Sequence, residues 1–147
     1  MVAPASTIPR PRARASPIAA SAVAAVAALT ALANAGLHAY LVPEHLGPEM
    51  LGMGHGYIGV AFVAAIPLLI GDALALLAFP QLRVEAWHAG ALLNAGMLAL
   101  LVVSRLTSWL PNGYQEPWEP LAVASAAVEV VFLAAYLLRL CAREQGL

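Results

Sequence analysis

The chain has 147 residues, of which 62% are hydrophobic and 10% charged, with a formal net charge of −1 and a mean hydropathy of +0.82. A soluble domain is about half apolar and a quarter charged, so this composition excludes an ordinary soluble enzyme and points to membrane-spanning helices. All seven basic residues are arginines, too sparse for the basic stripe of a nucleic-acid surface.

Residues 1–17 carry Arg10, Arg12 and Arg14 among Pro, Ala and Ser. Such a segment cannot bury a core and reads as a disordered tail. It also has the look of a signal n-region, with Ala31-Leu32-Ala33 as a cleavage site. The apolar run continues past that point to Val42, longer than a usual signal core, so retention is favoured over cleavage.

Four spans follow, at about 18–42, 51–79, 86–106 and 121–140. Residues 141–147 form a short C-terminal tail. Span one is alanine-dense, with small residues four apart that let helix backbones approach in lipid. Thr30, Asn34 and His38 are also four apart and form one polar stripe, expected to face the bundle interior. Pro43 is expected to end this span.

The loop 43–50 leads to Gly52, Gly54, Gly56 and Gly59 at the start of span two. Gly52 and Gly56 make a GxxxG pair suited to close helix contact. Pro67 and Gly71 predict a kink in span two, and Asp72 follows. Span three opens with Trp87 and His88 and carries Asn94 and Arg105 on one face. The connection 107–120 holds Trp109, Tyr114, Glu116, Trp118 and Glu119, an aromatic belt. Span four carries Ser125 and Glu129, four apart. Glu129 lies roughly 13 Å in from the nearer span end, at the rise of a helix.

Arginine falls mostly at three places: the N-terminal tail, Arg83 between spans two and three, and Arg139 and Arg143 after span four. Short arginine-rich segments stay in the cytoplasm. The expected topology is therefore a multi-pass protein of a bacterial cytoplasmic (inner) membrane with both termini inside. Cys141, the only cysteine, then lies on the reducing side.

Three constellations carry chemistry. In the first, His38, His45, His55 and Glu44 could act as ligands for copper or zinc, with the thioether of Met53 nearby. Their spacing matches no established motif, and a wet loop with one interior histidine explains the same residues. In the second, Asn34, Asn94, Arg105 and Glu129, with Thr30 and Ser125, form a buried polar set. An unpaired carboxylate in hydrocarbon is costly, so Glu129 has to be neutral or paired. With His38 this set could form a proton or ion path opening outward, or it could be a clasp that fixes helix register. In the third, Asp72 and His88 could pair between neighbouring helices. His38 and His88 fall near opposite faces, too far apart for one haem iron, and the spacing of His38 and His55 gives no specific support to a haem between them, so haem is not the expected cofactor. No nucleophile elbow, phosphate-binding loop or HExxH motif is present, so no catalytic residue is assigned.

The order His38, Pro43-Glu44-His45, Asn94, Ser104-Arg105, Glu119 and Glu129 resembles that of small four-span integral membrane proteins of bacteria with GC-rich genomes, of actinobacterial type. The resemblance covers spans one, three and four. It implies the four-span fold and that His38, Glu44, His45, Arg105 and Glu129 act together; it brings no activity with it.

The expected fold is an all-α, antiparallel four-helix transmembrane bundle. The expected function is an outward His/Glu site that binds or passes a metal ion or proton. A non-catalytic accessory subunit of a larger respiratory or transport complex, or a homo-oligomer, is the alternative. An enzyme acting on a lipid-soluble substrate such as a quinone comes third.

Overall fold

A computed structural model describes residues 17–111 and 117–144. The arginine-rich tail, Tyr114 and Glu116 lie outside the described residues. The chain forms α1 (Pro17–His45), a short α2 (Pro48–Gly52), α3 (Tyr57–Ala78), a 3-10 turn (Pro80–Leu82), α4 (Arg83–Leu106) and α5 (Pro120–Glu144). Among the described residues there is no strand. Proline opens α1, α2, the 3-10 turn and α5, where its missing N–H is not needed and its φ suits the first turn.

The four long helices run antiparallel, each long and apolar enough to cross a membrane. Their outward faces carry large apolar side chains, among them Leu29, Val60, Leu68, Leu92 and Leu138. That is the surface a helix presents to acyl chains rather than to water. The inner face of α1 is built from small residues instead, while Leu69, Leu76, Trp87 and Phe132 fill the core from the other helices. Ala24, Ala27, Ala28, Ala31 and Ala35 of α1 are buried, and α1 packs along them against α3 and α5. In lipid, helices associate through such close backbone approach, because the acyl chains leave no hydrophobic drive between them. Gly59 is a point of close backbone approach. A Cβ there would lie 2.9 Å from the carbonyl carbon of His45 and 2.6 Å from the Leu46 side chain.

Helix α4 packs on α5 and α3, which leaves α1 and α4 on a diagonal of the bundle. At the end where α1 begins and α5 ends, Arg83 Nε donates to the Leu76 carbonyl at 2.9 Å, serving an acceptor in the last turn of α3. The α1–α3 and α4–α5 connections share the opposite end, where the Tyr57 hydroxyl donates to the Pro111 carbonyl at 3.1 Å.

Three features depart from the sequence-based reading. Pro43 does not end the first span, because α1 continues through it to His45. A proline in the final turn forfeits one ladder bond, to the carbonyl of Ala39, and the helix survives that loss. The second span begins at Tyr57 rather than 51, because Gly54 takes φ 75° and turns the chain after α2. That left-handed conformation suits glycine, which has no Cβ to clash. Consequently Gly52 and Gly56 flank a turn and do not form a helix-packing face, and a Cβ on Gly56 would run into the Leu51 side chain.

Candidate functional site

Three residues of α1 set one wall of the site. His38 is four residues beyond Asn34 and His45 seven beyond His38, so all three lie on one helix face. They are 0% (Asn34), 5% (His38) and 3% (His45) exposed. Each imidazole uses Nδ1 on its own helix: His38 on the Asn34 carbonyl at 2.9 Å, His45 on the Leu41 carbonyl at 3.0 Å. A carbonyl can only accept, so Nδ1 carries the hydrogen in both rings, and Nε2 of the neutral imidazole is left with its lone pair. Phe62 of α3 stands against both rings, edge-on, with centroids at 4.7 Å from His38 and 4.8 Å from His45. Edge-to-face contact of this kind holds ring orientation.

The floor is a four-residue polar clasp at the centre of the bundle. Asn34 Nδ2 donates across the diagonal to Asn94 Oδ1 at 3.4 Å and to Glu129 Oε1 at 3.4 Å. The Ser125 hydroxyl has two acceptors for its one hydrogen, Asn34 Oδ1 at 3.2 Å and Glu129 Oε1 at 3.4 Å. Asn94 Nδ2 donates to the Gly90 carbonyl at 2.8 Å. Glu129 is 1% exposed, and its Oε2 is buried with no hydrogen-bond partner among the described residues.

A cavity of about 240 Å³ joins these groups. His38, His45, Ser125 and Glu129 line it, with Phe62, Met97 and leucines of α1 and α4 between them. Arg105 and Glu119 line it toward the end with the two longer connections. Arg105 donates from Nη1 to the Ser104 hydroxyl at 2.6 Å, and its guanidinium carbon lies 5.9 Å from the centre of the Trp118 ring. An apolar chamber with a few convergent polar groups is the general form of a small-molecule or ion site.

The metal set expected from sequence is not assembled. Glu44 is exposed, and His55 sits half-buried in the turn after Gly54, outside the cavity lining. Among the described residues no three His, Cys, Asp or Glu side chains come together as a metal ion requires. Asp72 and His88 do not pair either. His88 Nδ1 instead meets the Tyr136 hydroxyl at 2.7 Å. The Asp72 carboxylate packs against Gly90 and finds no hydrogen-bond partner among the described residues.

Phe62 and Tyr57 belong to the site and were not singled out from sequence. Phe62 is the only phenylalanine within α3, a weak signal that tertiary packing alone makes readable. Compared with known protein families, with curated proteins and with solved structures, the chain finds no match.

Proposed function

We propose that this is a binding protein of the bacterial cytoplasmic membrane, its termini inside, whose outward cavity holds protons and passes them between its mouth and Glu129. One observation carries the reading: a single cavity is lined by His45, Arg105 and Glu119 toward the end with the two longer connections and by His38, Ser125 and Glu129 further along it. Two imidazoles with Nε2 as acceptor, ahead of a carboxyl group at mid-membrane, form a series of proton acceptors of the kind found in intramembrane relays. The asymmetry of the arginines supports the orientation. A copper or zinc ion would have only His38 and His45 from the expected ligand set, which favours the proton over the metal. Co-purification with larger membrane subunits would favour the accessory role instead.

The test is infrared difference spectroscopy on protein in sealed vesicles, changing pH on the mouth side alone. A protonated carboxyl has a carbonyl-stretch band that shifts in heavy water. That band should respond to external pH, vanish in Glu129→Gln and respond more slowly in His38→Phe. A Glu129 band that ignores external pH would refute the relay.

A further inference from the structure

The seam between α3 and α4 holds a second space, a groove of about 860 Å³ extending from Leu82 and Glu85 to Leu100. Leu68, Leu82, Leu92 and Leu100 line it and are exposed, so it opens on the surface that faces acyl chains. Gly71 and Gly96 also line it, and a Cβ on either would meet no atom within 4 Å. Those glycines leave room for a chain beside the helix backbones, in a space of the size of a small-molecule site.

Only two of the lining residues have a charged or hydrogen-bonding side chain, Asp72 and Glu85, and both are acidic. Asp72 is 7% exposed. Its carboxylate reaches across the seam to Gly90 of α4, and both of its oxygens are buried without a hydrogen-bond partner among the described residues. Asp72 stands six residues before the end of α3, roughly 9 Å into the span at the helix rise. Glu85 is exposed, in the first turn of α4. Arg83, the cation nearest to it in the chain, is turned to the Leu76 carbonyl and does not line the groove.

A buried carboxylate without a donor is costly in hydrocarbon, and a cation with N–H groups beside it offsets that cost. A metal ion fits poorly, since no three His, Cys, Asp or Glu side chains gather among the described residues. A primary ammonium fits well: it brings three N–H donors to the two oxygens, and an alkyl tail suits the apolar walls. From Asp72 to Ala61, at the far end of the groove on α3, is eleven residues, roughly 16 Å, which accommodates an extended alkyl chain of moderate length.

We propose that the α3–α4 groove binds a membrane-soluble primary amine, with its ammonium on the Asp72 carboxylate and its hydrocarbon tail along the seam toward Ala61 and Leu100. Glu85 draws the cation in from the interfacial end. The site uses neither Glu129 nor the histidines, so it stands apart from the proton relay.

The test is photoaffinity labelling of the full chain in phosphatidylcholine liposomes at neutral pH. The probe is decylamine with a diazirine near the tail end, protonated there as a lysine is. The control is the matching decanol, with a hydroxyl in place of the ammonium. Labelling of Ala64 and Leu100, both in the groove, is read by peptide mass spectrometry relative to Leu138, which is exposed on α5. That ratio should be about tenfold higher for the amine than for the alcohol, the worth of one charge-assisted hydrogen bond, and untagged decylamine should compete. Asp72→Asn, which keeps size and shape, should bring the amine down to the ratio of the alcohol, whereas Glu85→Gln should lower it less. Should Asp72→Asn fail to fold, the comparison of amine with alcohol in the unaltered chain decides alone. Equal ratios for amine and alcohol, or undiminished amine labelling in Asp72→Asn, would overturn the proposal. So would a second membrane chain that co-purifies and covers the groove until it is removed, since the carboxylate would then belong to a basic helix.

Discussion

Replacing Asn34 with leucine removes the centre of the clasp with a side chain of the same heavy-atom count and branching. Three side-chain contacts go with it: to Asn94, to Glu129 and from Ser125. Interhelical hydrogen bonds in membranes are worth ~0.6 kcal/mol each by double-mutant cycle, so the direct loss is about 2 kcal/mol. Glu129 Oε1 keeps Ser125 as a donor, which limits the further cost of a stranded buried acceptor. The assay is reversible unfolding in mixed detergent micelles, read by the fluorescence of Trp87, which is 2% exposed. Asn34→Leu should lose about 2 kcal/mol, and a cycle with Asn94→Leu should return a coupling near 0.6 kcal/mol for the diagonal contact alone. Thr30→Val is the control. The Thr30 hydroxyl donates to carbonyls of its own helix, Ala27 at 2.8 Å and Val26 at 3.1 Å, so this change should be close to neutral. A cost for Asn34→Leu no greater than that of Thr30→Val, or zero coupling with Asn94, would show that the clasp does not hold α1 to α4.

Gly90→Ala should destabilise by about 1–3 kcal/mol, the usual range for overpacking, because its Cβ would collide with the Asp72 carboxylate and the Phe132 ring. Gly96→Ala, in open space, should not, and thermal melting in detergent compares the two. Gly54→Ala should cost about 1 kcal/mol from its φ of 75°, and Ala at Gly52, which carries no such φ, supplies the reference melt. Cys141 is exposed and is the only cysteine, so a membrane-impermeant maleimide should label it only in opened or inverted vesicles; labelling in intact cells would reverse the topology. Untagged protein should carry copper and zinc only below stoichiometry. About one ion per chain, lost in His38→Ala/His45→Ala, would return the metal reading to first place.

The bundle was legible because its signals are long and redundant. Each span repeats apolar residues over some twenty positions, and no single residue decides it. The clasp was partly legible for a related reason: Asn34, Asn94, Ser125 and Glu129 are rare polar residues in apolar runs, and cost alone drives them inward. Which of them touch could not be read, since that depends on α1 and α4 lying on a diagonal. The outer cluster was misread through one residue. Taking Pro43 as a helix end puts His45 in the loop beside Glu44 and His55. With the helix carried through Pro43, His45 turns onto the face of His38 while Glu44 remains exposed. Two ligands of the expected set thus enter the cavity and two are left out of it. A proline near a helix terminus is an ambiguous stop signal, because the bond it removes is one the final turn can do without.

The same geometry explains why the polar centre and the lateral seam belong to one design. Helix α1 is held tightly, by its alanine face and by the backbone approach at Gly59. Helix α4 reaches α1 across the diagonal through Asn34 and Asn94. That contact adds to the packing of α4 on α5 and α3, and Gly71 and Gly96 leave open space along the α3–α4 seam while Gly90 closes on Asp72. Loss of the clasp should therefore act first on this seam. In Asn34→Leu, hydrogen exchange should rise in the facing turns of α3 and α4 around Ala65 and Met97 before it rises in the α1–α3 interface. Faster exchange at Gly59 than at Met97 would mean that the alanine interface, not the diagonal, is the weaker link.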